Sequence, residues 1–138
     1  MALRLRTEKE TIQVDYRADN NNPDSEVLAV FFVSPMTPQE LDVVLKKHEK
    51  KDWVSPNRKT KKELVKEPNY MEVQKERIVE TIVGWEGVNN SQGEILECTK
   101  ENKLSVWAYN PEVIGWVLDQ VDEIQESREV KKEEEVKN

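Results

Sequence analysis

One run of residues constrains this chain more than any other. Val27-Leu-Ala-Val-Phe-Phe-Val33 is apolar throughout. A short apolar run rich in β-branched and aromatic side chains reads as a buried strand rather than a helix. Because no polar residue interrupts it, the expectation is a central strand covered on both faces. Upstream, Ile12, Val14 and Tyr16 alternate with Gln13, Asp15 and Arg17. That is the period of a half-buried strand. Between the two lies Ala18-Asp-Asn-Asn-Asn-Pro-Asp-Ser25, made mostly of residues that bond locally to the backbone or preset φ. The two strands are expected to pair antiparallel across this loop. Leu3 and Leu5 alternate as well and predict another short strand.

The remainder reads as helices. Thr37-Pro38-Gln39-Glu40 has a capping hydroxyl, a proline at the first helical position and a glutamate that completes a capping box. Leu41, Val44, Leu45 and His48 then share one face, and the helix is expected to end near Lys50, with Pro56 and Asn57 marking a loop around Trp53. A second helix is predicted from Pro68-Asn69 to Val83, stopped by Gly84. The β-branched stretch Arg77–Val83 leaves a strand open there. Trp85 to Gly93 reads as a turn region, punctuated by Gly87 and Gly93. Thr99 can cap a short helix holding Leu104 and Trp107, and Asn110-Pro111-Glu112 starts another. That last helix sets Ile114, Val117, Leu118, Val121 and Ile124 on one face. The fold class is therefore α+β: a small N-terminal antiparallel β-sheet followed by a mainly helical C-terminal half. At 138 residues the chain fits a single domain over 1–125. Residues 126–138 are charged, with two isolated valines, and are expected to fray or be disordered.

Composition removes several functions. No apolar run approaches the ~20 residues of a transmembrane helix. The first ten residues lack the apolar region of a signal peptide, so secretion is not expected. The single cysteine, Cys98, can form neither an intramolecular disulfide nor a Cys-rich zinc site. With one histidine, His48, a His-based metal site or a Ser-His-Asp triad has little material. His48 reads as a packed residue at a helix C-terminus, and Cys98 as a structural thiol without a base. Asp19-x-Asn21 opens like a calcium loop but fails at Pro23, Asp24 and Val30. Asn89-Asn90-Ser91 has the form of a glycosylation sequon, which without secretion is coincidence. No phosphate-binding glycine motif or nucleophile elbow occurs. The expectation is a chain that is not an enzyme, with no cofactor and no metal.

Charge is polarised. Residues 46–67 carry nine Lys or Arg against four Asp or Glu, a net of +5, and the chain's −7 then leaves −12 elsewhere. A basic stretch can bind phosphates, but its only aromatic is Trp53, so interleaved stacking residues are missing and the acidic remainder repels a nucleic-acid backbone. Tryptophan is enriched in binding hot spots. The candidates for partner contact are Trp116, which lies off the apolar stripe of its helix, together with Trp107, Trp85 and Trp53. Core packing is the competing reading for each.

The stretch from Ile78 to Lys103 carries a longer pattern: an apolar segment, Trp85-Glu86-Gly87-Val88, a turn closed by Gly93, then Thr99-x-Glu101-Asn102 before a short apolar helix. Upstream, the strand and helix start from Phe31 to Glu40 fit the same order. Over about residues 25–125 the chain resembles the tail assembly chaperones of long-tailed bacteriophages. The resemblance implies a non-enzymatic protein of the host-cell cytoplasm that binds the tape-measure protein and helps recruit tail-tube subunits, with no membrane role and with self-association left open. Two alternatives stand beside it: a structural virion component such as a tail-tube or head–tail connector protein, and a small nucleic-acid-binding regulator using 46–67.

Overall fold

The computed structural model describes residues 2–54 and 63–137, with side chains over 2–50 and 66–128. Five strands and four helices occur among them, in the order β1 (Ile12–Arg17), β2 (Val27–Val33), α1 (Pro38–Lys47), β3 (Glu49–Val54), β4 (Glu63–Pro68), α2 (Tyr70–Thr81), β5 (Ile82–Glu86), α3 (Lys100–Tyr109) and α4 (Pro111–Lys137). The class is α+β, with an antiparallel N-terminal sheet and helices mostly in the C-terminal half. The sequence supports one domain over 1–125; by its own packing the chain falls into two compact units, Met1–Pro35 with Ile78–Asn138, and Met36–Arg77.

The first unit is built on the sheet β1-β2-β5. β1 and β2 pair antiparallel, Ile12 opposite Val33 and Val14 opposite Phe31, and β5 pairs antiparallel on the other side of β2, with Phe31 opposite Trp85. The inward row of β2 is Ala29, Phe31 and Val33. It joins Val14, Ile78, Ile82 and the α4 residues Ile114, Val117, Leu118 and Val121 in one buried cluster. The helical stripe of α4 therefore packs as its spacing requires, with Ile124 partly buried beside it. The two faces of β2 are covered unequally: Val30 and Phe32 are part-buried and Leu28 stays half exposed, against the expectation of full burial on both sides. An unbroken apolar run does not by itself tell a doubly covered strand from one whose outer residues are left over.

Three further expectations change. The helix over 68–83 stops at Thr81, and the chain passes directly into β5, so Ile82 and Val83 are strand residues and Trp85 and Glu86 belong to a strand rather than a turn. β-branched residues tolerate either state, and pairing with β2 decides between them. Leu3 and Leu5 lie outside any strand, since residues 2–11 take no regular structure. Helix α4 continues through the segment expected to fray, its backbone helical to Lys137.

In the second unit, Thr37 accepts from the Glu40 amide and Glu40 accepts from the Thr37 amide, the expected capping box. Helix α1 ends at Lys47, short of Lys50, and β3 starts at Glu49. Its partner β4 runs antiparallel, with Lys51 opposite Lys66 and Trp53 opposite Leu64. Trp53 therefore lies in a strand, not a loop; Pro56 and Asn57 lie outside the described residues. Among the described residues, the core here is Met36, Val44 and Val73, with Leu45 against them.

Candidate partner-binding site

The stretch carrying the sequence pattern folds as a closed polar framework. Trp85 stands edge-on to Phe31, ring centroids 6.2 Å apart, and its indole Nε1 donates to the Leu96 carbonyl at 2.8 Å. That bond ties β5 to the far arm of the following turn. Gly87 has φ of +77°, and a Cβ there would stand 2.8 Å from the Leu28 carbonyl oxygen, so only glycine fits. Beyond it, Asn89 bridges Ile95 and the Leu96 amide donates to the Val88 carbonyl. The Asn90 carboxamide oxygen accepts from the amides of Gln92 and Glu94, and Gly93 closes the turn with φ of +81°. Thr99 caps α3 through the Asn102 amide, while the Asn102 side chain donates back to the Glu97 carbonyl. The motif residues thus hold one another in place.

Two groups next to this framework are buried or part-buried. Lys103, only 8 % exposed, sends its ammonium to the Val79 carbonyl at 3.0 Å, in the last turn of α2. A cation suits the negative end of a helix. Burial pushes the Cys98 thiol above its usual range, and the nearby Lys103 charge opposes that only in part. A thiol held protonated is a poor nucleophile, so Cys98 packs rather than reacts.

Of the four candidate tryptophans, the structure brings three to the same core. Trp85, Trp107 and Trp116 are half-buried and packed against the sheet–helix cluster. Trp116 lies off the helical stripe, yet Tyr16 of β1 meets it edge-on with ring centroids 5.2 Å apart. The backbone of Trp53 lies in β3 of the other unit. Other apolar side chains face outward in the first unit, among them Leu28, Val83, Ile95 at 84 % and Tyr109 at 86 % exposure. Sequence reasoning placed Leu28 in a covered strand and Val83 in a helical stripe, and passed over Ile95 and Tyr109. The signal for Leu28 was its odd parity against the inward Ala29-Phe31-Val33 row, and for Ile95 its place beside a Gly-Glu turn outside any stripe.

In the second unit, Glu76 forms a clamp. Its carboxylate accepts from Lys47 Nζ at 2.7 Å and meets His48 Nε2 at 2.7 Å. The hydrogen bond from Lys47 holds its pKa below the usual value, with desolvation opposing and His48 adding to the lowering. The His48 carbonyl in turn accepts from the Asn69 amide, closing the base of the β3–β4 pair. Among the described residues no group of three or more His, Cys, Asp or Glu is placed to hold a metal ion, and no helix is long and apolar enough to cross a membrane.

A family model described as YdaY prophage protein matches residues 43–138. That span takes in the second unit from α1 onward, the Trp85–Asn102 framework and the whole of α4. No curated protein and no solved structure matches the chain.

Proposed function

The chain belongs to the YdaY prophage protein family, and from that phage origin we propose that it is a non-enzymatic tail assembly chaperone, which binds the tape-measure protein and helps recruit tail-tube subunits. The observation that carries the proposal is the set of large apolar side chains left outward on an acidic chain: Leu28, Val83, Ile95 and Tyr109. A long helical client exposes apolar stripes until its assembly is complete. Side chains of this kind can cover such stripes in a helix-on-surface mode. The net charge of −7 keeps the resulting complex dispersed. The resemblance running from Trp85 to Asn102 supports the same reading, and the framework described above gives those residues a scaffolding role beside the contact surface.

The test is co-expression with the tape-measure protein encoded in the same prophage. The soluble fraction of that protein should rise several-fold with this chain present. It should fall back when Leu28→Glu and Ile95→Glu are combined. If the client remains equally insoluble with and without the chain, the proposal fails.

A further inference from the structure

Leu3-Arg4-Leu5-Arg6 alternates with the period of a strand, and the fold leaves it unused. Residues 2–6 lie outside any strand or helix, and Leu3 and Leu5 are 53 % and 58 % exposed. Two neighbouring leucines held in water on a segment without regular structure mark a contact waiting for a partner.

The same unit contains an edge of matching chemistry. In the order β1-β2-β5, β1 has a partner strand on one side only among the described residues. An open edge presents unpaired backbone groups and templates further pairing. Along β1, Ile12, Val14 and Tyr16 belong to the covered face, and Gln13, Asp15 and Arg17 to the other. A strand that joins this edge with Leu3 and Leu5 on the covered side extends the Ile12-Val14-Tyr16 row. Side chains alternate, so Arg4 and Arg6 then fall on the side of Asp15. Asp15 is approached by Gln13 at 2.8 Å and by Arg17 at 3.7 Å. A carboxylate with about four acceptor positions has room for a further guanidinium.

Residues 2–6 do not pair with their own β1 edge. Glu10, two residues before β1, is held 2.7 Å from Arg128 Nη2 on α4. Helix α4 covers the inner face of the sheet. This ion pair ties the chain just before β1 to α4.

We propose that residues 2–6 add as a fourth strand to the free edge of β1 in a second copy of this chain, exchanged reciprocally in a two-fold dimer. A two-fold arrangement satisfies both edges with one contact repeated. Opposite charge draws the pieces together, because the arm's two arginines meet a chain that is acidic outside residues 46–67.

The experiment is light scattering on the full chain eluting from a sizing column, over a concentration series. The wild type should reach twice the 16.2 kDa of the single chain. The double variant Leu3→Glu/Leu5→Glu should weaken the dimer at least ten-fold, with an unchanged circular dichroism spectrum. If that variant loses its fold, Arg4→Glu/Arg6→Glu decides instead, since it keeps the leucines and should weaken the dimer in the same direction. A wild type that stays at the single-chain mass throughout overturns the proposal. So does a dimer that folded arm variants leave intact.

Discussion

The two units hold themselves together by different means. The sheet unit buries Phe31, Val33, Ile78, Ile82, Ile114 and Val117 almost completely, in one continuous cluster. Among its described residues, the unit from Met36 to Arg77 buries Met36, Val44 and Val73 and adds a polar clamp at Glu76. Apolar burial is insensitive to pH and nearly insensitive to salt, whereas an ion pair at the surface is screened and titratable. One chain thus carries a unit set by packing and a unit set partly by solution conditions. Stability within a structure need not be uniform, and hydrogen exchange should find the slowest amides in β2 and α4.

The contrast can be broken most sharply at Phe31. Phe31→Ala removes a ring that is 1 % exposed and meets Trp85 edge-on. It should cost about 3–5 kcal/mol by denaturant unfolding. Met36→Ala in the smaller core should cost about 2 kcal/mol or more, at the low end of the same scale. Equal losses would mean the second core matters as much as the first.

Gly87→Ala comes next. It forces a left-handed backbone and a Cβ against the Leu28 carbonyl oxygen. The expected loss is roughly 1–3 kcal/mol, read from the thermal midpoint. Gly93→Ala has open space around it and should lose less, since only its φ of +81° resists.

The caps allow a matched comparison across units. Thr37→Ala and Thr99→Ala each remove one hydroxyl acceptor, worth about 1 kcal/mol. If burial is what separates the units, the same loss should open α1 to hydrogen exchange more than it opens α3.

The smallest effect is on pH dependence. The folded pKa of Glu76 lies below its ordinary value of 4.5. A depressed carboxylate contributes stability that is present above the unfolded value and is lost as pH falls through the folded one. The clamp should therefore be intact at neutral pH and weaken only below 4.5. Glu76→Gln should flatten that part of an acid titration followed by α1 and α2 amide shifts. An unchanged profile would remove the clamp from the comparison.

How far the fold was legible follows the same division. Elements with a local code were readable: the capping box at Thr37-Glu40, the Thr99 cap, the Pro111 start and the α4 stripe each reach their state through neighbours in sequence. β1 and β2 were readable because alternation and an apolar run carry their own period. β3, Glu-Lys-Lys-Asp-Trp-Val, has neither, and only pairing with β4 makes it a strand. The passage from α2 to β5 was half legible, since Ile78–Val83 suits both states. For the site, the residues from Trp85 to Asn102 were singled out by pattern. What they touch was not, because Phe31 lies fifty-four positions from Trp85 and only the folded sheet brings them together. The outward positions of Ile95 and Tyr109 have no periodic signature at all.

The ammonium of Lys103 on the Val79 carbonyl has a consequence in time. The last turn of α2 is completed from a helix that begins nineteen residues beyond the end of α2. While the chain is still emerging, nothing local instructs Ile78–Val83 where helix should yield to strand. Pairing with β2 writes that boundary, and the Lys103 cation can reach the last turn of α2 only once α3 is in place. Any process that delays α3 leaves that end of α2 without its cation.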